Sequence, residues 1–189
     1  MKMITHLTDF LIRKGYIDPE DRDIYLYGFD IIIYTVWSTA VLLLIGLILR
    51  QFWAAVIIVL LFYTFQSLGG GYHADTHLKC LLTMVIGLCL GLSCVFIRSY
   101  HTILWIMMAL GASLLLLFPL VLHPNKAYLE KDRRPLTIRS AVVTVFILAA
   151  VIICNLFWSS LLYAFSAAFL LAGISRIGGK LFNKEKAPL

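Results

Sequence analysis

Charged residues are scarce in this chain of 189 residues: aspartate, glutamate, lysine and arginine together make up 14% of it. A typical soluble domain has roughly 25% of such residues. Hydrophobic residues make up 61% of the chain, and the mean hydropathy is +0.93. These values exclude an ordinary soluble enzyme and predict an integral membrane protein. Because one span takes about 20 residues, we expect a single membrane domain over 1–189 with no separate soluble module.

Cysteine is also scarce, and its spacing excludes a disulfide framework. The four cysteines form no CxxC pair, and three of them lie inside apolar runs. We interpret those three, Cys89, Cys94 and Cys154, as packing residues. The first 27 residues lack a compact apolar core followed by a small-residue cleavage site, so no cleavable signal peptide is predicted.

The N-terminal segment carries two helix signals before any long apolar run. Apolar residues such as Ile4 and Leu7 fall on one helical face and polar residues such as Asp9 on the other, which predicts an interfacial amphipathic helix over 1–15. A surface helix packed on the bundle is the alternative. The Asp18-Pro19 step combines an N-cap residue with proline at the first helical position, so a second helix is expected to start there.

Apolar runs of spanning length then follow one another along the chain. They predict an all-α integral membrane protein with six transmembrane helices preceded by the amphipathic helix. The predicted spans are 28–49, 52–68, 78–97, 103–122, 138–157 and 160–178.

The distribution of basic residues predicts the orientation. Six spans place both termini on one side of the membrane, where 14 lysines and arginines would lie, against only Arg50 and Arg98 on the other side. The positive-inside rule therefore predicts a multi-pass membrane protein with both termini, the 69–79 stretch and the 123–137 loop in the cytoplasm. The net charge of +6 is explained by this orientation and by contact with anionic lipids, and nucleic-acid binding is not expected.

A polar island, Gly69–Cys80, interrupts the apolar runs between the second and third predicted spans. It contains His73 and Cys80, a candidate base and nucleophile, because a histidine can take the proton of a cysteine thiol. In a straight helix seven residues would separate the two by about 10.5 Å along the axis, too far for a hydrogen bond. A catalytic pair therefore requires a break in the helix between them. The alternative is a solvated loop histidine and a buried span cysteine.

Other residues of the island and its surroundings fit the same hypothesis. The candidate turn-forming residues are Gly69, Gly70 and Gly71, and Asp75 or Thr76 is expected to cap the next helix. Asp75 is also a candidate to orient His73, and Gln66 is a candidate oxyanion donor, although such a residue more often bonds a neighbouring helix.

Two histidines of the island also have the spacing of a helical zinc pair. His73 and His77 lie four residues apart, but the sequence between them lacks the glutamate of HExxH. His123 is the available third ligand. A metalloprotease is thus an alternative, while no metal or other cofactor is predicted for the preferred interpretation.

A second polar stretch follows the fourth predicted span. Pro119 and Pro124 are expected to end that span, and four basic residues of the following 123–137 loop form a candidate cationic segment. Such a segment would attract an acidic peptide or anionic lipid headgroups, the alternative being a positive-inside loop without a ligand. The members of the cationic segment are Lys126, Lys131, Arg133 and Arg134.

At these two stretches the sequence resembles the accessory gene regulator B proteins of Gram-positive bacteria, membrane peptidases that mature quorum-sensing peptides. The resemblance rests on Gly-Gly-Tyr-His-Ala at 70–74 with Cys80 seven residues after the histidine, and on His-Pro-Asn-Lys at 123–126. It covers essentially the whole chain. The chain departs from the family at Leu122, where glutamate is frequent, at Ala127-Tyr128, where proline-leucine is frequent, and at the three glycines, where the staphylococcal branch has basic residues.

The resemblance implies that His73 and Cys80 are the catalytic pair of a cysteine endopeptidase. Such an enzyme removes the C-terminal tail of a precursor peptide through an acyl-enzyme and cyclises the product to a thiolactone or lactone. The implied partners are a precursor with an amphipathic leader and an acidic tail, and a bilayer with anionic lipids; a homodimer is left open. A small transporter or sensor subunit without enzymatic activity is the remaining alternative.

Overall fold

A computed structural model of the chain describes residues 2–72, 74, 76–121, 130–155 and 159–182. Within these ranges the chain forms α-helices, short 3-10 turns and connections, with no strand. The predicted all-α membrane class is confirmed. The helices are α1 (Lys2–Arg13), α2 (Arg22–Ile48), α3 (Phe52–Gly69), α4 (His77–Ser93), α5 (His101–Leu117), α6 (Glu130–Asn155) and α7 (Leu162–Phe182).

The chain divides into two compact units, of which the first comprises residues 1–41. It contains α1 and most of α2. Helix α1 ends at Arg13, and Gly15 adopts a positive φ of 75° in the turn that follows. The side chain of Asp18 then accepts a hydrogen bond from the Glu20 amide at 3.2 Å, so the predicted N-cap signal starts a 3-10 turn that leads directly into α2.

One ion pair joins the two helices of this unit. The Arg22 guanidinium donates to the Asp9 carboxylate through Nε and Nη2, each at 3.0 Å. Asp9 belongs to the polar face predicted for the amphipathic helix, whereas Ile4 on the opposite face is buried. Burial within α1 does not follow the two predicted faces, because Leu7 of the apolar face is 43% exposed while the polar Thr8 is buried.

The second unit, residues 42–189, is built around α7. This helix packs mainly against α5 and α3 and also contacts α4. Small residues on its buried face, among them Ala164, Ala168 and Gly173, allow the neighbouring backbones to approach closely. At Gly111 of α5 the approach is so close that a Cβ would overlap the backbone of Phe169. Helix α7 is therefore the common support for the other helices of this unit.

In the part of the chain that the structure describes, five helical segments are long and apolar enough to cross a membrane, and α5 is a shorter apolar helix of 17 residues. The prediction that the fourth span extends to residue 122 is wrong in the structure. Helix α5 ends at Leu117, because Phe118 precedes Pro119 and a residue before proline is disfavoured in the helical region. The backbone of Phe118 has left that region, with φ of −120° and ψ of 64°.

Two further expectations need correction. Helix α6 begins at Glu130, not at 138, so residues 130–137, assigned to the 123–137 loop, are helical and include Pro135. Cys89 and Cys154 are exposed on the outer surface of their helices, so neither is a core packing residue; Cys94 is half-buried.

Candidate functional site

The helix break that the catalytic pair requires is present in the polar island. Helix α3 ends at Gly69, Gly70 leaves the helix with a φ of 70°, and α4 begins at His77. A positive φ of this size favours glycine over any other residue. His73 and Asp75 lie outside the described residues. The chain on either side of them does not form one continuous helix.

Cys80 lies in the first turn of α4 and is half-buried. The cap of this helix is Thr76: its backbone is extended, and its Oγ1 accepts a hydrogen bond from the Lys79 amide at 3.3 Å. The Cys80 amide donates to the Thr76 carbonyl at 3.0 Å, closing the first helical turn. The partial positive charge of a helix N-terminus stabilises an anion such as a thiolate. The structure thus places Cys80 at the N-terminal end of a capped helix.

The three glycines after α3 are packed so closely that none has room for a side chain. A Cβ at Gly69 would overlap the guanidinium of Arg176, one at Gly70 would overlap the carbonyl oxygen of Val121, and one at Gly71 would overlap the amide of Gln66. The turn that carries His73 is therefore shaped by contacts with α7, with the segment after α5 and with its own preceding helix.

Gln66 serves this turn as a structural residue. Its Nε2 donates to Ser175 Oγ of α7 at 2.7 Å, and its buried Oε1 has no hydrogen-bond partner among the described residues. The amide that was a candidate oxyanion donor is directed toward a neighbouring helix. The arrangement matches the structural alternative for Gln66 and gives no support to an oxyanion role.

The segments after α3 and α5 are joined directly. The Val121 amide donates to the Gly69 carbonyl at 2.7 Å. Val121 is two residues before His123, the first residue of the second motif. The residues of that motif, 123–126, lie outside the described ranges, but the chain that leads into them is bonded to the start of the polar island.

Two members of the cationic segment are described with their side chains. Arg133 and Arg134 are exposed in the first turns of α6. Lys126 lies outside the described residues, and nothing is described of the Lys131 side chain. The metalloprotease alternative is not tested: no group of three or more His, Cys, Asp or Glu residues that could hold a metal occurs among the described residues, but His73 and His123 are not among them.

Sequence reasoning missed Arg176, which was counted only as a basic residue of the cytoplasmic C-terminus. Its side chain is 1% exposed and donates four hydrogen bonds, three of them to backbone carbonyls. A signal was available in the sequence, since Arg176 falls inside the predicted span 160–178 and an ionisable residue within a span is a functional candidate.

Comparison with known proteins gave one match. A family model described as accessory gene regulator B matches residues 4–175. No curated protein and no solved structure matches the chain. The matched range includes both polar stretches on which the resemblance rests.

Proposed function

The chain belongs to the accessory gene regulator B family, and from this premise we propose that it is a membrane cysteine endopeptidase of quorum-sensing peptide precursors. The family processes such peptides at the membrane, and the chain is a multi-pass membrane protein by its apolar helices. The finer proposal is that Cys80 and His73 remove the C-terminal tail of the precursor and that the product is then cyclised.

The observation that carries this proposal is the position of Cys80. The thiol lies in the first turn of a capped helix, immediately after a glycine turn that interrupts the preceding span. A continuous helix would hold His73 and Cys80 about 10 Å apart, whereas a turn between them allows the chain to fold back. The local fold therefore permits the contact that a cysteine and histidine pair needs.

The proposed reaction is an acyl transfer. The Cys80 sulfur attacks the carbonyl carbon at the junction between signal and tail while His73 takes the thiol proton. The carbon–nitrogen bond then breaks, His73 returns the proton to the leaving amine, and a thioester joins the signal segment to Cys80. By resemblance to the family, an internal cysteine or serine of the peptide attacks this thioester, releasing Cys80 and closing a thiolactone or lactone ring.

Substrate capture is assigned to the membrane surface around the site. We propose that an amphipathic leader lies on the cytoplasmic leaflet with its anionic lipids, and that the acidic tail binds the cationic segment. The exposure of Arg133 and Arg134 supports this assignment, because exposed guanidinium groups are available to carboxylates.

The decisive experiment is co-expression with a candidate acid-tailed precursor, followed by mass spectrometry of the peptide. Cys80→Ala is expected to abolish tail removal, because the acyl-enzyme cannot form without the sulfur. Cys89→Ala is the matched control, since Cys89 lies in the same helix and is exposed on its outer surface. Processing by the Cys80→Ala variant at the wild-type rate would refute the proposed chemistry, and inhibition by a chelator without inhibition by a thiol reagent would favour the metalloprotease alternative.

A further inference from the structure

Arg176 is a cation buried inside a helix of spanning length. Its side chain is 1% exposed, and among the described residues no carboxylate lies within 4.0 Å of it. Burying a charge in a membrane protein is expensive unless other groups replace its hydration. Its hydrogen-bond partners therefore explain how Arg176 is accommodated.

Those partners are neutral oxygens: one carbonyl in the last part of α3, two carbonyls just after α5, and the hydroxyl of Ser140 inside α6. Nη1 donates to the carbonyls of Phe118, at 2.9 Å, and Pro119, both just after the end of α5. Nη2 donates to the Phe65 carbonyl in the last part of α3, at 2.9 Å, and to Ser140 Oγ of α6, at 3.3 Å. Helix C-termini carry unpaired carbonyls and a partial negative charge, so a guanidinium is a suitable partner for two of them at once.

These helix ends are the ones that lead into the two polar motifs. The end of α3 continues into the turn that carries His73, and the end of α5 continues toward His123. Arg176 contacts both ends, and its guanidinium fills the space beside Gly69 that a side chain would occupy. One residue therefore fixes the starting points of both motifs.

Ser175, the residue before Arg176, binds the same turn at Tyr72. The Tyr72 amide donates to the Ser175 carbonyl at 2.9 Å and to its Oγ at 3.1 Å, and that Oγ also accepts from Gln66. Tyr72 is the residue immediately before His73. Ser175 and Arg176, which we call the α7 clamp, thus bind the turn from Phe65 to Tyr72.

Helix α7 also packs against α4, the helix that carries Cys80. At Gly91 of α4 a Cβ would lie 3.2 Å from Leu171 and 3.4 Å from Ala167, both in α7. Helix α7 therefore contacts both the turn that ends at Tyr72, just before His73, and the helix that carries Cys80.

We propose that the α7 clamp is a positioning element. It holds the turn at residues 69–72, which leads into His73, in a fixed position relative to Cys80. This inference rests on the proposed catalytic pair. The four hydrogens of the two terminal nitrogens of Arg176 are all used by protein oxygens, so the residue acts through the turn and not by binding substrate. Loss of the clamp's hydrogen bonds is expected to leave His73 and Cys80 present but no longer positioned to react together.

The test compares Arg176→Met with Arg176→Lys and wild type in two measurements on the full-length protein in membranes. The first is hydrogen exchange of the amides of residues 69–72, 118, 120 and 121, and the second is tail removal from the acid-tailed precursor. Exchange in Arg176→Met is expected to accelerate about tenfold or more, as for loss of a charge-assisted hydrogen bond, and tail removal to fall about 100-fold, as for a misplaced reactive group. Arg176→Lys keeps the positive charge but lacks the planar guanidinium. It is expected to retain part of the protection from exchange and part of the tail removal.

Arg98→Met is the matched control, because Arg98 is an exposed arginine outside the polar stretches, and it is expected to change neither measurement. Faster exchange with wild-type processing would overturn the positioning role, and so would slow processing with unchanged exchange. If Arg176→Met fails to accumulate, Ser175→Ala decides the question, since it removes only the hydroxyl and is expected to give a smaller change in the same direction at Tyr72; wild-type exchange and processing in that variant would overturn the proposal.

The Cys80→Ala variant separates the two proposals. If it still removes the tail, the proposed function is wrong, whereas the exchange measurement continues to report whether the clamp holds the turn. If it is inactive while the Arg176 variants process normally, the function stands and the positioning role is wrong.

Discussion

At the scale of single residues, the polar island depends on three glycines whose surroundings leave no room for a Cβ. Gly69, Gly70 and Gly71 lie against Arg176, Val121 and Gln66 with no space for a Cβ. Only Gly70 needs its glycine for backbone conformation, because its φ is positive. The other two are required by close packing. The turn is therefore defined by contacts with α7, with the segment after α5 and with α3.

Gly69→Ala is expected to destabilise the protein by about 1–3 kcal/mol, the usual cost of adding a methyl group to a filled site. Either the guanidinium of Arg176 or the end of α3 must move. The measurement is the unfolding midpoint in detergent together with tail removal. Gly87→Ala is the control, since its Cβ would have only an ordinary contact at 3.9 Å with Leu171 and alanine favours the helix. Equal stability of the two variants would contradict the packing at Gly69.

At the scale of secondary-structure elements, the starts and ends of helices place the functional groups. Helix α4 begins at His77 because Thr76 caps it, and this start sets Cys80 in the first turn. Helix α5 ends at Leu117, and the carbonyls of the next two residues, Phe118 and Pro119, accept hydrogen bonds from Arg176. Helix α6 begins early enough to carry Arg133 and Arg134 on a rigid element instead of a loop.

Thr76→Ala is expected to cost about 1 kcal/mol, the usual value of an N-cap side chain. The first turn of α4 should then fray and lower the rate of tail removal. Thr76→Ser keeps the hydroxyl acceptor and is expected to behave as wild type. Circular dichroism during heating gives the stability, and mass spectrometry gives the rate. If the alanine and serine variants are equally active and equally stable, the cap does not position Cys80.

The double variant Arg133→Glu, Arg134→Glu is expected to weaken binding of an acid-tailed precursor because it replaces two exposed cations with anions. The concentration of peptide at half-maximal rate should rise, while the maximal rate stays close to wild type. The effect should shrink at high salt, since exposed charges are screened. A precursor with a neutralised tail is the control substrate and should show no difference between the two enzymes. A fall in the maximal rate alone would contradict a binding role.

At the scale of the whole molecule, hydropathy was sufficient to predict an all-helical membrane protein, and local signals placed the start of the second helix and the break after Gly69. Pro119 marked the region where α5 ends, although the predicted span was drawn five residues too long. Residue order alone did not reveal the start of α6 at Glu130, because Pro135 is accommodated inside that helix. It also did not reveal Arg176 as a shared partner, because its acceptors come from three helices that are distant in sequence and meet only after packing.

The predicted orientation gives a test at this scale. With 14 basic residues on the side of the termini, a fluorescent protein fused after Leu189 should fluoresce and a fused alkaline phosphatase should be inactive. Alkaline phosphatase inserted in the short connection before α5, at Ser99, should be active. The reverse pattern would place the polar island outside the cell and exclude the proposed access to a cytoplasmic precursor.

The place of Arg176 in the last helix has a consequence for the order of synthesis. The ribosome produces the His73 turn and Cys80 long before α7, so for most of translation the turn has no partner for its helix-end carbonyls. A nascent or truncated chain that lacks α7 contains Cys80 without the contacts that hold the turn before His73. Under the proposed function, tail removal would begin only after α7 has inserted, so a partly synthesised chain would not cut peptides.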